Sequence, residues 1–259
     1  MWNIVRSQNY QTIRDNFIII VFIVFTALML LMLFVDGAVE MTGAEYFNGA
    51  MGENAIIIVT MNVFVITRII AQDYNDKTIN YEMLNGHSRK EVYWARVITS
   101  LIWGVLGCMV VMLLPLLLLT MLNGWGNSAD ATEAWLRIGL TVFPLLRLSC
   151  ISILLSTIMK NSFKGLIISF VVTDGTMLIC TLLEELLNIS LTFQFGFSNI
   201  MSLLMVTNAK EQIVDGESVM VGDTSLSIGM ILGTILISLI VGGIYLMIGY
   251  LSMRKADRD

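Results

Sequence analysis

The chain has 259 residues, of which 56% are hydrophobic and 14% charged, with a net charge of −5 and a mean hydropathy of +0.80. Soluble domains average about 45–50% apolar and about 25% charged residues, so this composition excludes a soluble core of this length and makes lipid part of the solvent. Six apolar spans of about 20 residues each, with their loops, use nearly the whole chain and leave no room for a separate soluble domain.

Residues 1–16 place Trp2, Ile4, Val5, Tyr10 and Ile13 among Arg6, Arg14 and several Asn and Gln residues. This pattern predicts a short amphipathic helix lying along a membrane interface. The apolar run 17–35 exceeds the roughly 7–15 residues of a signal-peptide core, and Asp36-Gly37-Ala38 is a poor cleavage site. It is therefore expected to be the first span. A loop with four acids (Asp36, Glu40, Glu45, Glu53) and no Lys or Arg precedes a second span, 55–70, which contains Asn62 and Arg68. A basic loop, 71–93, leads to the third span, 94–122, with Pro115. The fourth span, 134–159, carries Pro144 and is joined by the turn Lys160–Lys164 to the fifth, 165–187. The sixth is expected over 226–253. Both prolines can kink their helices, though proline is ordinary in membrane helices.

Charge sorts along this plan. Arg6, Arg14, Arg68, Lys77, Arg89, Lys90, Arg96, Lys160, Lys164, Arg254, Lys255 and Arg258 fall on one side, Lys210 alone on the other, and Arg137 and Arg147 within a span. Because basic residues in short loops stay cytoplasmic, both termini are expected inside and the number of spans is even. That parity argues against a seventh span over 189–206. The segment 188–225 is instead expected on the outer face, with 189–206 re-entrant or surface-lying. The expected fold is an all-α integral membrane protein with six transmembrane helices and an N-terminal interfacial helix. Cys108, Cys150 and Cys180 lie in apolar runs and read as packing residues. His87 has no partner at ligand spacing, so no metal site is expected.

The loop after the second span is the most informative stretch. Asp76 can cap a helix start and Asn85-Gly86 can end it, with Ile79, Met83 and Leu84 on one face of a stub about 13 Å long. Ser88-Arg89-Lys90-Glu91 is a capping box that starts the next helix. Such a stub can dock into a groove on another protein or lie on lipid headgroups. The stretch Asp73-x-x-x-Lys77-Thr78, Leu84-x-Gly86-x-Ser88-Arg89 and Tyr93-x-x-Arg96 resembles the loop between the second and third spans of permeases of type-2 ATP-binding cassette (ABC) exporters. Lys77 stands where that family more often has Gly, and Asn85-Gly86-His87 where a Pro often precedes Ser-Arg. The size and acidic outer loops are similar to permeases of bacterial drug and antimicrobial-peptide (lantibiotic-type) efflux systems.

The resemblance implies one permease domain over 1–259 in a bacterial plasma membrane, paired with a second permease chain, homo- or heterodimeric. It also implies two copies of a cytoplasmic ATPase subunit that carry ATP and Mg2+ and meet this chain through Asp76, Lys77, Ile79, Met83, Leu84, Gly86, Ser88, Arg89 and Glu91. The chain itself has no Gly-x-x-x-x-Gly-Lys-[Ser/Thr] phosphate loop, so it is expected to be a transport subunit and not an enzyme. No nucleic-acid or dinucleotide signature is present.

A charge at mid-membrane costs about 2.5–3.5 kcal/mol on insertion scales and is expected to be paired. Counting from the Lys160–Lys164 turn at 1.5 Å per residue puts Arg147 and Asp174 about 15–20 Å up neighbouring helices, and Arg137 and Glu184 about 30–35 Å up. Two ion pairs, Arg147–Asp174 and Arg137–Glu184, are therefore expected, with Glu185 facing a pathway. They could equally serve only to fix helix register. The same carboxylates would suit an ion-coupled secondary carrier, but internal repeats expected of such folds are not visible. Glu184-Glu185 also resembles the paired glutamates of intramembrane CAAX-type proteases, which need histidines within the membrane that this chain lacks.

Overall fold

The computed structural model describes residues 1–35, 37–75, 83–187, 193–205, 209–214, 217–222 and 226–255. Among these residues, six helices are long and apolar enough to cross a membrane: Asn16–Val35, Ala50–Gln72, Arg89–Asn123, Ala131–Met159, Ser162–Cys180 and Ile228–Arg254. The protein is a helical, multi-pass membrane protein.

Helix α1 (Trp2–Arg14) buries Ile4, Val5, Gln8 and Thr12, one face of its turns, and leaves Trp2, Tyr10 and Ile13 exposed. It packs against α6 (Arg89–Leu101), where the third span begins. Helix α2 (Asn16–Val35) follows after a break at Asp15, whose carboxylate accepts the Phe17 N–H at 2.9 Å and so starts the new helix. Ile4, Val5, Ile70, Val92, Tyr93 and Met253 share one apolar cluster. This cluster gathers the ends of α1, α5 (Ala55–Asn75), α6 and α12 (Ile228–Lys255) at one end of the bundle. That end carries most of the basic residues and is called the basic end.

Two spans form the centre. In Ala50–Gln72 and Ala131–Met159, 72% and 67% of the apolar window is buried, against 22%, 25% and 17% in the first, fifth and sixth spans. The composition explains the difference. Spans two and four carry Asn62, Thr67, Ser149, Ser152 and Ser156, whose small or hydrogen-bonding side chains let helices approach closely. The outer spans are rich in Ile, Leu and Phe, which suit a lipid-facing surface. The fourth span is two helices, α8 (Ala131–Leu140) and α9 (Val142–Met159), offset at Thr141 just before Pro144. α9 packs on α5, α10 (Ser162–Leu187), α11 (Gly196–Leu204) and α12.

The third span is interrupted by a π-helical turn, Ile102–Leu106, between α6 and α7 (Gly107–Asn123). Pro115 sits inside α7 without breaking it. The turn is stabilised from the side: Asn62 Nδ2 donates to Gly104 O at 3.0 Å and to Ser149 Oγ at 2.9 Å. Trp103 Nε1 donates to Asn9 of α1 at 2.8 Å.

The opposite, acidic end is built from loops that fold back into the bundle. α3 (Gly43–Asn48) starts with a capping box between Thr42 and Glu45, and α4 (Ala50–Glu53) leads into the second span. Gly43 and Ala44 donate to Gly124 O and Trp125 O at 3.0 and 2.8 Å. Gly126 has a positive φ of 84°, and a Cβ there would sit 2.4 Å from Thr42 Oγ1, so the two loops meet at a position that only glycine fits. Beyond α11, Ala209–Val214 and Glu217–Gly222 pair as an antiparallel two-stranded hairpin. This hairpin is a small addition to the helical fold that the sequence reading did not anticipate.

Candidate functional site

Two regions hold the residues singled out from the sequence. The first is the basic-end loop before α6. Of its residues, Asp76, Lys77 and Ile79 lie outside the described residues. The rest form a compact unit. Met83 packs against the basic-end cluster, while Leu84 is 81% exposed. Gly86 turns the chain with φ of 85°, and its N–H donates to Met83 O at 3.0 Å. Ser88 and Glu91 then close the capping box: Glu91 N–H donates to Ser88 Oγ at 3.3 Å, and Ser88 N–H donates to Glu91 Oε2 at 3.1 Å. Glu91 also lies 3.6 Å from the N-terminal ammonium of Met1, which ties α1 to the same turn. Arg89 and Lys90 are exposed on the first turn of α6. An apolar side chain is thus held out from a turn whose two flanks are anchored, directly ahead of a long span.

The second region is inside the bundle. Arg147 of α9 donates from Nη1 to Phe193 O at 2.8 Å, and from Nη2 to Gln194 O. Arg137 of α8 donates to Ser202 O at 3.4 Å and Leu203 O at 3.3 Å. Arg147 is 12 residues before the end of α9 at Met159, about 18 Å along the helix, so residues 193–195 reach well inside the length of the bundle. From there α11 climbs beside α8 and α9 towards the acidic end, with Phe197, Ile200, Leu203 and Leu204 buried. The segment before the hairpin is therefore a short helix packed among the spans. Non-helical backbone among apolar spans is stable where protein supplies its hydrogen bonds, and Arg147 supplies two of them. At the other end Arg137 meets the last carbonyls of α11, which no helical N–H can reach, with its charge at the favourable pole of the helix dipole.

The fit is close around α11. A Cβ on Gly196 would stand 2.9 Å from Leu148 Cγ. Asn199, buried within the bundle, accepts from Thr234 Oγ1 of α12 at 3.2 Å. A cavity of about 120 Å³ remains beside Arg147, bordered by Thr173, Thr176, Gln194 and Tyr245. The side chains of Asp174, Glu184 and Glu185, the expected partners of the two arginines, lie outside the described residues. The structure adds partners that sequence reasoning missed. Main-chain carbonyls leave no signature in a sequence, and the only available signal was the uncharged run 189–206, interrupted by Gly196 and Asn199.

Among the described residues no cluster of three or more His, Cys, Asp or Glu side chains is placed to hold a metal. The three cysteines are buried thiols. No family model matches the chain, and no curated protein matches it.

Proposed function

We propose that the protein is the permease subunit of an ABC exporter, moving a drug, antimicrobial peptide or lipid-like substrate out of a bacterial cell. On this reading the basic end faces the cytoplasm, as the sorting of Lys and Arg requires. Two ATPase subunits bind there and hold ATP and Mg2+, and a second permease chain completes the pathway.

The observation that supports this most strongly is Leu84, exposed on a turn fixed by Met83 on one side and the Ser88–Glu91 box on the other. An apolar anchor on a rigid mount loses little conformational freedom on docking. A push on it is delivered to α6, and through α6 to α1 and the bundle core. The re-entrant segment between the fifth and sixth spans is the natural outer boundary of the pathway, held by Arg137 and Arg147.

The decisive experiment is to look for an ABC ATPase that co-purifies with this chain, before and after the combined change Met83→Ala, Leu84→Asp and Arg89→Ala. Loss of association from a variant that still inserts in the membrane is the expected result, and undiminished association would overturn the coupling role. Orientation is tested separately. A Leu84→Cys variant should react with a membrane-impermeant thiol reagent only after the cells are opened, and labelling in intact cells would overturn both topology and function.

A further inference from the structure

A cleft of about 580 Å³ lies at the basic end where α1, the start of α2 and the end of α5 meet. Three of its features point to a ligand. Its charge is unbalanced: Arg68 grips Asp15 through Nε at 2.8 Å and Nη2 at 3.3 Å, which uses up that carboxylate, already an acceptor for the Phe17 N–H. Arg14 lies over the Tyr10 ring, 4.2 Å from its centroid, and has no ion-pair partner among the described residues. Among the described side chains the cleft thus keeps one net positive charge.

Second, Gln8 borders the cleft while only 4% exposed, and neither its amide nitrogen nor its amide oxygen has a hydrogen-bond partner among the described residues. A buried amide left without partners costs free energy, and no described side chain relieves it. Third, the cleft opens onto α2, whose Phe17, Ile20, Ile23 and Val24 are exposed and form an apolar track from the cleft into the hydrocarbon layer.

We propose that this cleft binds the headgroup of an anionic phospholipid, with the phosphodiester at Arg14, headgroup oxygens at Gln8, and an acyl chain on the exposed face of α2. The volume lies within the roughly 300–1,000 Å³ of small-molecule sites. One unpaired cation matches one phosphodiester whose headgroup carries no compensating ammonium. A soluble phosphate would use the charge but leave the apolar track bare, and for that reason the lipid is favoured. The inference needs only the membrane placement of the chain and goes beyond the transport reading.

The test uses the purified full-length chain in detergent, without any ATPase. Native mass spectrometry would follow titration with phosphatidylglycerol and phosphatidylcholine. The wild type should retain one phosphatidylglycerol about fivefold more tightly than phosphatidylcholine. Arg14→Gln should remove that preference and Arg14→Lys restore it, since one basic side chain near an anionic headgroup contributes about a fivefold gain. Gln8→Leu, which removes the orphan amide without touching the charge, should weaken retention of both lipids while the melting temperature holds. Equal retention of the two lipids by the wild type, or an unchanged preference in Arg14→Gln, would overturn the proposal. So would displacement of phosphatidylglycerol by excess inorganic phosphate, which would mark a simple anion site. Because no partner is present, a negative result here leaves the transport reading standing, and failure of the co-purification leaves this one standing.

Discussion

The two ends of the bundle are finished in different ways. At the acidic end the chain closes on itself: loops interlock at Gly43 and Gly126, and a helix is inserted between the spans with its last carbonyls taken by Arg137 and the chain leading into it held by Arg147. At the basic end a leucine stands out on a braced turn, and among the described residues a buried amide has no partner and a cleft keeps an unbalanced charge. Buried polar groups in stable proteins are almost always satisfied. Both ends leave buried polar atoms without a hydrogen-bond partner among the described residues, Asn48 Oδ1, Asn54 Nδ2 and Ser128 Oγ at the acidic end and the Gln8 amide at the basic end, so the difference between them lies in the exposed leucine and the open cleft.

This contrast can be broken most directly at Arg147. Arg147→Leu should lower stability by about 2–6 kcal/mol, since two carbonyls inside the bundle lose their donor at about 1–3 kcal/mol each. Reversible unfolding in detergent would measure it, and a loss below about 1 kcal/mol would show that the inserted segment does not depend on this clamp. Gly196→Val comes next. The new side chain would press on Leu148, and overpacking of this kind costs about 1–3 kcal/mol. Faster proteolysis within 193–205 is the expected accompaniment, and wild-type cleavage would deny the close approach.

The basic end should respond more weakly in the isolated chain. Ser88→Ala removes the helix cap and should cost about 1 kcal/mol, read as a lower melting temperature. An unchanged melt would mean that the box does not brace the turn. Leu84→Asp should change stability by less than about 0.5 kcal/mol, as exposed positions do, yet abolish recovery of the proposed ATPase partner. If it destabilised the isolated chain as much as Gly196→Val does, Leu84 would belong to the core and the contrast between the ends would fail.

Much of the fold was legible because hydrocarbon thickness imposes span lengths. Phe17–Val35 and Lys160-Asn161-Ser162-Phe163-Lys164 could be read directly as span and turn. The Ser88–Glu91 box and the Gly86 stop were readable because capping is local: a side chain meets backbone within three residues. What escaped was long-range or carried by the main chain. Arg147 could be identified as a charge that needs a partner, but carboxylates were the only partners a sequence can show, and carbonyls of Phe193 and Gln194 are silent. Asn62 likewise marked the second span as weak without revealing that its amide would brace a π turn 42 positions away. The paired strands Ala209–Val214 and Glu217–Gly222 follow no strong alternation and were absorbed into the outer loop.

That π turn has one more implication. It fits an additional residue into the helical winding, so it sets the rotational phase between the half of the third span that starts at Ser88 and the half that ends at Asn123. Deleting one residue from Ile102–Leu106 would restore ordinary winding and swing the first half by about 100° relative to the second. Tyr93 would then lose Leu246, and the side chains of α6 that now face α1 would face elsewhere. The extra residue works as an indexing tooth that keeps the two halves of the span in step.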